Sequence, residues 1–120
     1  MELVLPDKTI LDLTRLEEAF EDDTDGIAEL LDMALETGAK HRRVLREGIA
    51  ENDADVVRKA AHGIKGSAGN MGATRVMELA AELEARARAG DLTGASASVD
   101  AIDAAYDAVA GEVRAYRAAL

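Results

Sequence analysis

The chain contains no cysteine, and that one absence removes disulfide cross-links, thiolate metal sites and thiol catalysis together. Proline occurs once and tryptophan not at all, and the aromatic residues are Phe20, Tyr106 and Tyr116. Sheets draw on β-branched and aromatic side chains, so a chain this poor in rings, rich in alanine and 32% charged reads as all-α. No apolar run approaches the roughly 20 residues that span a bilayer. The stretch Met1-Glu2-Leu3-Val4-Leu5-Pro6-Asp7-Lys8 lacks the basic start and apolar centre of an export signal, and a cytoplasmic protein is expected. Gly63, Gly66, Gly69 and Gly72 recur at intervals of three, which matches neither a phosphate-binding loop nor a dinucleotide fingerprint. No nucleotide site of its own, no bound cofactor and no metal are therefore expected. A formal net charge of −10 argues against nucleic acid as the main partner.

What is present is helical periodicity. Thr14-Arg15-Leu16-Glu17 has capping-box form and predicts a short helix to about Glu21. A second helix is predicted from about Gly26 to Ala50, with Ile27, Leu30, Leu31, Ala34, Leu35, His41, Leu45 and Ile49 near one face. Asp53 is a natural N-cap for a third, and Asn70-Met71-Gly72 ends it as a glycine C-cap does. Val76, Leu79, Ala80, Leu83 and Ala87 mark a fourth helix that stops at Gly90, and Val99, Ile102, Tyr106, Val109, Val113, Tyr116 and Leu120 mark a long fifth. The short connections make neighbours antiparallel. The expectation is one domain over residues 1–120: an antiparallel up-down-up-down four-helix bundle with a short additional N-terminal helix, weakly ordered at residues 1–8 and monomeric.

The third helix carries the chemistry. Val57, Ala60, Ala61, Ile64, Ala68 and Met71 form its inward stripe, so His62 projects well away from the core. Side chains on a helix lean toward its N-terminus, and the residue that would cover His62 is the one four positions later. That residue is Gly66. Glycine within a helix costs about 1 kcal/mol relative to alanine, so its place beside an outward histidine suggests access by a partner, whereas close packing is the ordinary explanation and applies best to Gly69. Arg42, Arg43, Arg46, Arg58, Lys59 and Lys65 cluster between residues 40 and 65, either as a solvated face or as a docking surface for an acidic partner. The hairpin around Gly72 places position 82 opposite His62. Glu84, or with a shifted register Glu78 or Glu82, could accept a proton from Nδ1 and leave the Nε2 lone pair as a nucleophile. Lys65, one turn after His62, could balance the charge of a phosphoryl group.

Ala61-His62-Gly63-Ile64-Lys65-Gly66-Ser67-Ala68, followed by Asn70 and Gly72-Ala73, resembles the Ala-His-x-Leu-Lys-Gly-Ser core and downstream Gly-Ala of the histidine-containing phosphotransfer (HPt) domains of multistep two-component phosphorelays. The likeness covers nearly the whole chain. It implies that His62 accepts a phosphoryl group from a receiver-domain aspartate and passes it to another receiver, that Lys65 assists, and that Gly66 permits docking; Arg58, Lys59, Gly63 and Gly69, which surround His62, are the further docking candidates. The implied partners are response-regulator receiver domains and a hybrid histidine kinase, with Mg²⁺ held by the receiver, so the chain is a carrier rather than an enzyme. Two positions depart from the pattern: Gly63, where many members have a larger polar residue, and Glu84, where similar domains often have glutamine.

Other readings use the same residues differently. A di-metal bundle needs Glu-x-x-His, but Gly38 precedes His41 and Lys59 precedes His62; His41, near its helix's apolar stripe, reads as structural. A helical interaction bundle without phosphotransfer would tolerate His62→Gln. A sensor kinase would need an ATP-binding domain, for which 120 residues leave no room.

Overall fold

The two helices that face each other across the site's flank begin at aspartates whose carboxylates satisfy an early N–H group. In the computed structural model, which describes residues 6–120, the elements are α1 (Thr14–Ala19), α2 (Thr24–Ala50), α3 (Ala54–Met71), α4 (Thr74–Arg88) and α5 (Ala95–Ala118). Asp23 accepts from the Gly26 N–H and Asp53 from the Val56 N–H, both at 3.2 Å; such caps contribute about 1 kcal/mol each. The capping box expected at Thr14 does not form. Leu13 occupies the N-cap position without a side-chain bond, because the Asp12 carboxylate accepts from both the backbone N–H and the hydroxyl of Thr14, at 3.0 and 2.6 Å. Asp12 thereby takes the N–H that the Glu17 side chain would engage in such a box, and the Glu17 N–H goes to the Leu13 carbonyl at 2.8 Å. The helix also stops at Ala19, short of Glu21, since Glu21 and Asp22 take left-handed backbone angles with φ of 51° and 63°. Of the segment expected to be weakly ordered, residues 1–5 lie outside the described residues; Lys8–Ile10 form a turn closed by the Ile10 N–H on the Asp7 carbonyl at 3.0 Å.

The last four helices form a ring. α3 packs against α2 and α4, α5 packs against α2 and α4, and α1 rests on α2. With short connections at 51–53, 72–73 and 89–94, consecutive helices alternate in direction. The shared core takes Ile27, Leu31 and Leu45 from α2, Val57, Ile64 and Met71 from α3, Val76 and Leu83 from α4, and Val99, Ile102 and Val109 from α5, all nearly inaccessible. Burying each contributes on the order of 1.5–3 kcal/mol. Leu120 does not continue the α5 seam; it lies beyond the helix end and is exposed.

One turn fixes the register that the site depends on. Gly72 ends α3 with φ of 87°, and its carbonyl accepts the Asp12 N–H at 2.9 Å. A Cβ at this position would stand 1.9 Å from the Asp12 carbonyl oxygen, so only glycine lets the N-terminal segment cross here. His62 and Glu84 lie on either side of this turn, at matching heights on α3 and α4.

Candidate functional site

His62 stands on the outer side of α3 with its side chain 67% exposed. Its Nδ1 is 2.6 Å from Glu84 Oε2, and the Glu84 side chain is only 4% exposed. Glu84 is the one charged residue buried among the described residues. A carboxylate removed from water requires compensating donors, and it has them: Lys65 donates from Nζ to Oε1 at 2.6 Å, and the Arg88 guanidinium lies 4.0 Å from Oε2. The Lys65 ammonium, and more weakly the bond from His62, hold the Glu84 carboxyl below its ordinary pKa against the opposing effect of burial. Ionised Glu84 can only accept, so the proton of neutral His62 sits on Nδ1 and the lone pair on Nε2. Glu84 is thus the carboxylate that reaches the ring. Glu78 and Glu82 are both exposed, and Glu78 faces Arg75 at 3.7 Å.

The glycines around the ring have separate causes. An ideal Cβ on Gly66 would meet nothing within 4 Å, so no intramolecular packing demands its absence. At Gly63 the same atom would stand 2.6 Å from His41 Cε1; that glycine makes room for the half-buried His41 of α2, and packing accounts for it. Gly69 lies between, with a Cβ placed 3.3 Å from Met77 Sδ.

The basic cluster is largely neutralised from within. Arg42 pairs with Asp103 at 3.1 Å, and Arg46 with Asp100 at 3.0 Å and also with Asp103. Arg58 and Lys59 share Asp55 at 2.9 and 3.0 Å, and these two cations keep the Asp55 carboxyl below its usual pKa, Arg58 foremost. Of the seven lysines and arginines from position 40 to position 65, Lys40 and Arg43 have no acidic partner among the described residues.

Two features escaped the sequence reading. Arg88 joins the carboxylate from one turn along α4, a spacing of four that was visible beside Glu84. An open groove of about 590 Å³ runs between α2 and α3, lined by Phe20, Leu30, Met33, Ala34, Ser67 and Asn70. Its signal was Met33, an apolar residue outside the inward stripe of α2 and left exposed. Among the described residues, no three His, Asp or Glu side chains converge as a metal set, and no helix is long and apolar enough to cross a membrane.

The sequence model of the Hpt domain family matches residues 29–112. The chain belongs to that family. The backbone also superposes on histidine-containing phosphotransfer protein B of Pseudomonas aeruginosa with a TM-score of 0.79 and 28% identity, over 94% of each chain. No curated protein sequence gives a significant match. As an Hpt domain, the molecule is a histidine phosphotransfer carrier of phosphorelays, and the family works with receiver domains and histidine kinases. Its all-helical architecture is the one the relative shares.

Proposed function

We propose that His62 is the phosphoacceptor and that Nε2 is the atom that takes the group. The observation carrying this reading is an imidazole whose Nδ1 is donated to buried Glu84 while its other nitrogen faces solvent beside an unobstructed Gly66. Nε2 attacks the phosphorus of a receiver's aspartyl phosphate in line; the N–P bond forms as the P–O bond breaks, and the receiver recovers its carboxylate. The receiver holds Mg²⁺ and the groups that bind phosphate. This chain supplies a positioned nucleophile, needs no cofactor or metal, and acts as a carrier without nucleotide chemistry.

Lys65 has three N–H donors, one of which is engaged on Glu84. The other two suit it to balance charge on the phosphoryl oxygens. Gly66 and Gly69 leave the face flat for a receiver to approach. Gly63 contributes to the shape of that face only through the backbone, and Arg58 and Lys59 form a rim whose charge Asp55 offsets. The partners are a hybrid histidine kinase and response-regulator receivers in the cytoplasm, met by a monomer.

Incubation with a receiver carrying labelled phosphate tests the reading. The expected result is an acid-labile label on His62 that a second receiver removes, and no label on a folded His62→Gln variant. Transfer to His62→Gln at the wild-type rate would overturn the assignment.

A further inference from the structure

An amide at position 84 could hold the His62 ring as well as a carboxylate does, so the charge at that position requires its own explanation. A glutamine side chain accepts from Nδ1–H through its oxygen and, turned over, donates to a bare Nδ1, serving both protonation states. A carboxylate serves only one. If the phosphorylated ring lost its Nδ1 proton, a nitrogen lone pair would face an anionic oxygen at 2.6 Å beside a side chain that is 4% exposed. Little water is available there to separate the two.

Of the charged groups around the ring, anionic Glu84 favours retention of that proton, whereas the cations Lys65 and Arg88 oppose it directly and Lys65 supports it only by keeping Glu84 ionised. From α4 come Glu84 and Arg88, and from the next turn of α3 comes Lys65, bound to Glu84 Oε1 at 2.6 Å. The titratable group from α2 is His41, which lies against Gly63. Lys65 keeps Glu84 ionised, so the carboxylate holds the ring's proton without taking it.

We propose that Glu84 acts as a positioning residue through its charge, keeping the Nδ1 proton on His62 throughout the transfer cycle, so that phosphoryl groups enter and leave without proton exchange with solvent. This rests on His62 being the acceptor. In the forward step the Nε2 lone pair forms the N–P bond, the P–O electron pair returns to the receiver carboxylate, and the ring becomes a phosphoimidazolium whose Nδ1–H still faces Glu84. The reverse step expels the neutral Nδ1–H imidazole, an uncharged leaving group. The carrier therefore holds its phosphate in the readily transferred form across the neutral range.

The test follows decay of the isolated phosphoprotein from about pH 6 to about pH 8, for the wild type and for Glu84→Gln. The wild-type rate is expected to change less than about twofold. The Glu84→Gln rate is expected to fall as pH rises, approaching tenfold per unit above the ordinary imidazole pKa of about 6.5. A second measurement needs no variant: the Nδ1 nitrogen of the phosphorylated wild type is expected to keep the ¹⁵N chemical shift of a protonated nitrogen over that range. Equal pH profiles for the two proteins, or loss of that proton in the wild type, would overturn the inference with the acceptor assignment intact. A labelled His62→Gln would instead remove the assignment and the inference with it.

Discussion

Gly63 and Gly66 lie one turn apart on α3, and both remove a side chain from the neighbourhood of His62, yet their surroundings are opposite. Gly63 faces α2, where the imidazole of His41 occupies the volume a Cβ would need; Gly66 faces nothing. A helix interior loses about 1 kcal/mol for each glycine relative to alanine. At Gly63 the loss is offset inside the molecule, because the notch lets α2 and α3 close with His41 between them. At Gly66 no intramolecular contact offsets it, so the benefit lies in something that approaches from outside. The same residue type thus marks a packing contact on one flank of the helix and a docking opening on the other.

The largest expected effect comes from filling the open side. Gly66→Arg is expected to lower receiver-to-His62 transfer by about 100-fold or more, since a misplaced reacting atom forfeits most of the proximity effect, while circular dichroism and the melting temperature stay near wild type. A collapse of the fold instead would show that Gly66 is a packing glycine like Gly63. Gly63→Ala should behave the other way, lowering stability by about 1–2 kcal/mol through overpacking, with transfer reduced only as far as α3 shifts. Because the atom it meets belongs to a single side chain, His41→Ala should relieve the clash, and a double-mutant cycle is expected to show coupling of about 1 kcal/mol. Additive effects would break the comparison at its packed side.

Beneath the open side, acid titration separates the ring's support from the surface pairs. Glu84 has a depressed pKa in the folded state, so its contribution to stability is present above the unfolded carboxylate value of about 4.3 and is lost as pH falls through the lower, folded value. Denaturant melts from about pH 6 down to about pH 3 are expected to show the wild type losing stability relative to Glu84→Gln toward the acid end. A constant difference would mean that the carboxylate gains nothing from Lys65 and His62.

How much of this could be read from the chain depended on how local each cause is. Asp53 and Gly72 marked the ends of α3 because a cap acts within a few residues, and the short turn at Gly72 carried the register far enough to bring Glu84 within a turn of His62. Thr14 misled because Asp12, two residues earlier, bonds the N–H that the capping box would have engaged. The cause of Gly63 was out of reach, since His41 is twenty-two positions away and meets it only once α2 and α3 have packed. For the same reason the bond from Lys65 to Glu84 was not legible beside its expected role toward a phosphoryl group, because it crosses from α3 to α4. The basic cluster stayed open between a solvated face and a docking surface because Asp100 and Asp103, which hold Arg42 and Arg46, come from the far end of the chain.

The smallest expected effect is also the sharpest test of why Gly66 is glycine. Alanine at this position adds one methyl group that touches no other atom of the folded chain, and it removes conformational freedom from the unfolded chain. Gly66→Ala should therefore be more stable by about 0.5–1 kcal/mol, a rise of a few degrees in melting temperature for a domain of this size. Transfer should fall only modestly, because a methyl is small beside the ring it borders. A more stable carrier that works slightly less well is the signature of a glycine retained for what docks against it, and chemical denaturation run beside a transfer assay measures both halves. If Gly66→Ala proved less stable, the helix would need glycine for its own sake, and the contrast with Gly63 would vanish.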